Sequence, residues 1–171
     1  CTWAEWSPRR TGDDDSNPLP SFVGNKINDI FFFRNRLGII SGEAVNLSKS
    51  SDFFNFWVDS ATGVVDTDPI DLQVSHNRVS TLYNAVPFNQ DLYLFSAQTQ
   101  FVLRAEGILS PKTAVIDQVT EFDADTWIKP IGVGRNLYFT AQKTDYTSVQ
   151  EYFAVADSTT QKNATDITGH V

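Results

Sequence analysis

The amino-acid sequence predicts an all-β fold, a partial and irregular β-propeller-like arrangement of antiparallel blades. Apolar residues recur with a period of two, and no apolar stripe at helical spacing runs for ten residues. Turn-forming residues such as Ser41, Gly42 and Gly107 separate the apolar segments. Three segments also share one pattern, at a spacing typical of propeller blades.

The chain divides into two predicted regions: an irregular polar lead-in over residues 1–25 and a β-rich propeller-like region over residues 26–171. Prolines break regular ladders, and the lead-in contains three of them: Pro8, Pro18 and Pro20. It also contains an acidic run at residues 13–15. We interpret this run as a solvated loop tip, and the alternative is a cation site.

The alternating apolar segments predict a series of strands joined by turns. A short helical turn capped by Asp52 is expected at residues 51–54. The predicted strands cover residues 30–33, 37–40, 44–47, 64–65, 70–74, 79–86, 92–95, 101–103, 114–118, 137–141 and 146–155.

The repeated pattern is a polar Asn or Asp, an aliphatic-aromatic strand, a polar turn and a second strand. It occurs at residues 28–40, 89–103 and 135–153. Asp91 and Asn136 are 45 residues apart, whereas Asp29 and Asp91 are 62 residues apart. Because a propeller blade of four strands repeats every 40 to 50 residues or so, the longer first interval predicts an insertion around residues 59–71.

Aromatic residues are concentrated between residues 28 and 57. Phe31 and Phe33 are expected on one side of a strand and Phe32 on the other, with both sides buried inside a packed blade. Phe32→Asp should therefore unfold the domain or block its assembly. Arg34 and Arg36 are expected to mark the end of the turn. A second group of rings should form the next packing layer: Phe53, Phe54, Phe56 and Trp57.

The composition limits the classes of function. The net charge is −8, from 13 basic and 21 acidic residues, which argues against tight wrapping by nucleic acid. The single cysteine excludes a disulfide framework and a cysteine zinc site. No apolar run approaches the roughly 20 residues that cross a bilayer, so we expect no membrane insertion by this segment. We predict no catalytic residue, no cofactor and no metal.

Two acidic clusters were weighed as exceptions to that prediction. Hard oxygen ligands suit Ca²⁺, and paired carboxylates also perform glycoside hydrolysis. The third interpretation, which we prefer, is that these side chains cap turns and cover edge strands. The first cluster is Asp66, Asp68 and Asp71. The second is Glu121, Asp123 and Asp125, at alternating positions that would share one face if they lay in a strand.

The remaining motifs do not indicate a catalytic or ligand-binding site. His76 and His170 are the only histidines, and neither has a clustered partner. The glycine-containing segment at residues 132–136 lacks the spacing and the following helix of a phosphate loop. The glycosylation sequons at Asn46 and Asn163 are interpreted as chance matches.

A longer series of motifs points to one family. Residues 17–57 contain Pro-Ser-Phe-x-Gly, a strand ending Phe-Phe-Arg-x-Arg-Leu, a Ser-Gly turn and Phe-Phe-Asn-Phe, in that order. Together with residues 66–103 and 163–171, they resemble the tail tubular protein B family, the nozzle proteins of short-tailed phages. The resemblance runs from about residue 3 to residue 171.

The resemblance implies a structural virion protein, made in the host cytoplasm and located in the phage tail. It implies a homohexamer around the DNA exit channel, in contact with tail tubular protein A and the tail fibres. Phage DNA would pass through without tight binding, and no residue here matches a catalytic motif of the family. The family's chains are several times longer and this chain contains no Met, so we expect an internal fragment.

Two alternatives remain open at this point. One is a carbohydrate-active or host-surface-binding phage tail protein, which needs two carboxylates facing each other across an aromatic-lined groove. The other is a β-propeller binding module that acts alone on a small partner.

Overall fold

The computed structural model describes residues 5–75, 80–154 and 162–168 and confirms the all-β fold. The strands of the described residues form three four-stranded antiparallel sheets, and these residues contain no helix. In each sheet, strands that follow one another in sequence lie side by side, which is the topology of a propeller blade.

The strand bounds are as follows. The first sheet contains β1 (Ile27–Phe33), β2 (Arg36–Ser41), β3 (Ala44–Leu47) and β4 (Ile70–Gln73). The second sheet contains β5 (Leu82–Phe88), β6 (Asp91–Ser96), β7 (Gln100–Ala105) and β8 (Ala114–Thr120). The third sheet contains β9 (Ile131–Val133), β10 (Asn136–Gln142), β11 (Thr147–Ala154) and β12 (Lys162–Asp166).

The structure corrects several predicted elements. Residues 64–65 are not a strand, because they lie in the long connection between β3 and β4. Residues 51–54 form turns without a helix, and Ser51 adopts a positive φ of 65°. Strands β9 and β12 were not predicted. β9 is only three residues long, and β12 has the polar sequence KNATD.

The predicted repeat is present, but Asp29 in its first copy is not equivalent to Asp91 and Asn136, because Asp29 lies in the first strand of its sheet. Asp91 and Asn136 both begin the second strand of their sheets, so the interval of 45 residues is the repeat of a four-stranded sheet. The equivalent residue of the first sheet is Arg36 rather than Asp29, which gives a first interval of 55 residues. Much of the extra length lies in the connection over residues 48–69.

The three sheets stack face to face, and the second sheet is buried on both of its faces. In β6, Leu92 and Leu94 pack against the first sheet, whereas Tyr93 and Phe95 pack against the third. Burying each such side chain contributes about 1.5–3 kcal/mol. The first strands of consecutive sheets also contact each other, β1 with β5 and β5 with β9. This stacking is propeller-like, and the described residues do not close a ring.

The aromatic run of β1 faces two different environments. Phe31 and Phe33 are buried in the core between the first and second sheets, as period two predicts. Phe32 points the other way and is 62% exposed. The expectation that both sides are buried is therefore wrong for Phe32, because the layer that packs on the outer face of the first sheet does not bury this part of β1.

The described lead-in, residues 5–25, contains no strand and packs on the far face of the first sheet. A small third core there contains Leu37, Ile39 and Phe56, with Phe22 from the lead-in packed against them. Trp57 Nε1 donates a hydrogen bond to a lead-in carbonyl at 2.8 Å. Of the second group of rings, Phe56 is thus a core residue, whereas Phe54 is exposed.

Candidate functional site

Arg36, expected from the sequence at the end of a turn, is among the largest fully buried side chains of the described residues. It is 1% exposed and donates hydrogen bonds to the carbonyl oxygens of Ser48 at 2.7 Å and Asp68 at 2.6 Å. It also donates to the carbonyls of Asp66 at 2.8 Å and Leu109 at 3.1 Å. Burial lowers the pKa of Arg36, and the negative charge of Asp68 partly opposes this. Arg36 therefore fastens the long connection of the first sheet to the second sheet.

Arg34 supports the same end of the molecule from the β1–β2 turn. Arg34 and Asn35 form that turn with φ values of 44° and 61°. The Arg34 guanidinium donates to the carbonyl of Gln90 at 2.9 Å and to the carbonyl of Gly107 at 3.1 Å. Both acceptors lie in turns of the second sheet, so the two arginines hold the first and second sheets together.

The Asp68 and Asp71 carboxylates of the first acidic cluster accept hydrogen bonds from different donors. Asp68 is fully buried, and its carboxylate accepts hydrogen bonds from the backbone N–H of Val65 at 2.8 Å and of Asp59 at 3.2 Å. Asp71 instead accepts from the N–H of Ser21 at 2.9 Å and from its hydroxyl at 2.6 Å. The first carboxylate orders the long connection, and the second attaches the lead-in to β4.

The second acidic cluster does not lie in a strand, so its alternating positions do not place it on one strand face. Strand β8 ends at Thr120, and residues 121–125 are irregular. Glu121 accepts a hydrogen bond from Gln118 Nε2 at 2.8 Å, and Asp125 accepts one from the N–H of Trp127 at 2.9 Å. Within the described ranges, no group of three or more His, Cys, Asp or Glu side chains is placed to hold a metal ion.

The remaining motifs have structural positions or lie outside the described residues. The segment at residues 132–136 spans the β9–β10 turn, with Gly134 at a φ of 63°. Asn46 is buried and donates to the Ser21 hydroxyl at 3.0 Å, so its amide does not reach the surface. His76, His170 and the side chain of Asn163 lie outside the described residues.

A polar junction connects the first sheet to the second sheet and to the segment that leads into the third. Asn28 Nδ2 donates to the carbonyl of Leu82 at 2.7 Å. The Asp29 carboxylate accepts from the N–H of Ala85 at 2.9 Å and forms an ion pair with Lys129 at 2.6 Å. Lys129 lies in the segment that leads into the third sheet. The Asn-Asp pair had been recognised only as the start of the repeated pattern.

The exposed surface of the described residues carries several large apolar side chains. Trp127 is 93% exposed, just before the third sheet. Ile30 and Phe32 are exposed on β1, and Ile131 and Val133 are exposed on β9. These residues lie on two different sheets, the first and the third, which are separated by the second sheet. In the described part of the chain, no helix is long and apolar enough to cross a membrane.

Comparisons with known proteins agree with the resemblance found in the sequence. The family model described as "Bacteriophage nozzle protein" matches residues 1–171. The chain is also 49% identical over 169 residues to the protein named "Tail tubular protein gp12" of Escherichia phage T7. That alignment covers 99% of this chain and 21% of the relative, so the chain spans about a fifth of the length of the curated relative it matches.

Proposed function

This chain belongs to the bacteriophage nozzle protein family, and from that premise we propose that it is part of a structural protein of the phage tail, in the nozzle around the DNA exit channel. The observation that carries the proposal is the match over the entire chain, together with 49% identity to a tail tubular protein.

The charge distribution supports a channel through which DNA passes without tight binding. Phosphate contacts require free Lys and Arg side chains, and each contact strengthens binding. Here the net charge is −8, and several cations are already engaged. Arg34 and Arg36 bond to backbone carbonyls, while Lys129 and Arg104 form ion pairs with carboxylates. An acidic surface repels the phosphate backbone, which favours sliding over binding.

The proposed partners are those of a tail assembly. We place copies of the same protein around the channel as a homohexamer, with tail tubular protein A and the tail fibres as neighbours. The role is assembly rather than catalysis. Asp68 and Asp71, two of the acids considered for glycoside hydrolysis, are committed to holding the long connection and the lead-in.

The location of the protein in the particle tests this proposal. Virions labelled with an antibody raised against this chain should show density at the distal end of the tail, in a ring around its axis. Density over the capsid, or labelling equal to that of particles lacking the protein, would contradict the proposal.

A second assay addresses the carbohydrate-active alternative. Purified protein should leave host polysaccharide intact, and four alanine variants should behave like the parent: Asp66→Ala, Asp68→Ala, Glu121→Ala and Asp123→Ala. Cleavage that disappears in any of these variants would replace the structural role by an enzymatic one. Circular dichroism of each variant checks that its fold is retained, which matters most for the buried Asp68.

A further inference from the structure

Two neighbouring polar clefts open at one end of the first and second sheets. The larger cleft, of about 440 Å³, lies between the start of β1, the β2–β3 turn and the start of β5. The smaller cleft, of about 210 Å³, lies between the start of β5 and the β6–β7 turn. Thr81 and Tyr83 line both clefts, so the two volumes meet at these residues. The buried Arg36 is at the opposite end of the same sheets, beside the β1–β2 turn.

Two β-bulges contribute side chains to the larger cleft. The register of β1 with β2 shifts at Asn28, which has no paired residue on β2. The register of β5 with β6 shifts at Tyr83, which has no paired residue on β6. A bulge re-aims a side chain, and bulges are over-represented next to active sites. Asn28 and Tyr83 both line the larger cleft.

Hydrogen bonds between the two sheets fix the backbone around the larger cleft. The N–H of Leu82 donates to the carbonyl of Gly42 at 2.8 Å, and Asn28 Nδ2 donates to the carbonyl of Leu82 at 2.7 Å. The Glu43 carboxylate accepts from the N–H of Ser80 at 2.6 Å. Because this backbone is already ordered, a ligand that binds here has little loop ordering to offset.

Several polar side chains of the clefts make no hydrogen bond within the described residues. Their amide, hydroxyl, phenol and ammonium groups are available to a ligand. These side chains are Lys26, Gln73, Thr81, Tyr83 and Gln98.

We propose that the two clefts bind a neutral oligosaccharide, with one sugar ring packed on the ring of Tyr83. A pyranose has an apolar C–H face, which matches an aromatic ring, and a rim of hydroxyl groups that both donate and accept hydrogen bonds. The amides of Gln73 and Gln98 and the Thr81 hydroxyl can bond to that rim. The larger cleft is within the range of about 300–1,000 Å³ that is typical of ligand sites. The smaller cleft extends the site to a further sugar unit.

The charges of the clefts favour a neutral ligand that is bound without being cleaved. Among the described residues that line them, Lys26 is the only cation and Glu43 the only acid. Recognition of phosphate groups uses clusters of cations, and glycoside hydrolysis uses a pair of carboxylates. The inference goes beyond the role in tail assembly, and it holds whether or not the protein forms the tail nozzle.

Saturation-transfer NMR on the full-length family protein that carries this chain tests the inference. The neutral probes are maltotetraose, cellotetraose and mannotetraose, and the anionic probe is tetragalacturonate. At least one neutral probe should bind. Tyr83→Ala should weaken that binding by about tenfold because it removes the packing surface, whereas Tyr83→Phe should retain most of the affinity. Tyr146→Ala is the matched control, because Tyr146 is an exposed tyrosine in the β10–β11 turn, outside both clefts.

Three results would overturn the inference. The first is that no neutral probe binds. The second is that Tyr83→Ala binds a neutral probe as tightly as the parent, or no more weakly than Tyr146→Ala. The third is that only tetragalacturonate binds and that Lys26→Ala removes its binding, which would assign the clefts to an anionic ligand. If circular dichroism shows that Tyr83→Ala is misfolded, Gln73→Ala decides in its place, and unchanged affinity in that variant counts against the site.

Discussion

At the scale of single residues, the surroundings of Arg36 and Gly38 constrain which side chains β2 can carry at these two positions. Arg36 is surrounded by backbone carbonyls of the long connection and the second sheet. Two residues later, Gly38 lies under the Phe31 ring, and a Cβ built on Gly38 would be 2.2 Å from that ring. The close approach of Phe31 to the backbone is possible only because Gly38 has no side chain.

Gly38→Ala should therefore destabilise the fold. The added methyl group forces the buried Phe31 ring to move, and overpacking of a core costs about 1–3 kcal/mol. Urea unfolding followed by circular dichroism measures the loss. Gly63→Ala is the matched control, because nothing lies within 4 Å of a Cβ at Gly63, and its effect should stay within about 0.5 kcal/mol. Equal effects of the two substitutions would show that the Phe31 contact is not what constrains Gly38.

At the scale of the strand, the three rings of β1 differ in what they stabilise. Phe32→Asp should leave the 171-residue chain folded, contrary to the expectation from sequence, because Phe32 is exposed. The substitution should lower the free energy of unfolding by about 0.5–1.5 kcal/mol, which is the usual value of an aromatic ring pair. The pair that is lost joins Phe32 and Phe53, whose ring centroids are 5.4 Å apart. Phe31→Asp instead places a carboxylate in the core and should cost more than about 4 kcal/mol. Thermal unfolding of both variants compares their stabilities. Similar losses of stability would contradict the assignment of Phe31 to the buried face of β1 and Phe32 to the exposed face.

Strand positions were largely predictable because alternation and turn residues are local signals. Residues 44–47 were predicted with the bounds of β3, and the side-chain alternation of β1 was predicted correctly. The sequence could not show that the layer on the outer face of the first sheet leaves Phe32 largely uncovered. It also could not show that the Arg36 guanidinium is buried and bonded to backbone carbonyls, since those carbonyls belong to residues between 48 and 109. Both facts depend on contacts between distant segments.

At the scale of the whole molecule, two tyrosines lie in the core that joins the second and third sheets. Tyr93 and Tyr152 are both buried there, with ring centroids 5.9 Å apart. Burial raises the pKa of Tyr152, and it also raises the pKa of Tyr93, with a further contribution from the charge of Asp91. The attachment of the third sheet to the second is consequently linked to the protonation of both phenols.

This linkage predicts loss of stability at alkaline pH. Below about pH 10, phenols are protonated in both states, so their contribution is complete. Above that pH the unfolded chain releases the protons while the folded chain retains them, and the free energy of unfolding falls as pH rises.

Tyr152→Phe removes one of these groups and should reduce the fall in the free energy of unfolding by up to about 1.4 kcal/mol per pH unit. At neutral pH the substitution should cost little, because it keeps the buried ring and removes only the contact of the hydroxyl with the Thr120 side chain. Urea unfolding at several pH values between about 8 and 11 measures the slope. Tyr146→Phe, which removes an exposed hydroxyl, is the matched control. A Tyr152→Phe slope as steep as that of the unsubstituted chain would show that burial of this phenol does not set the alkaline limit.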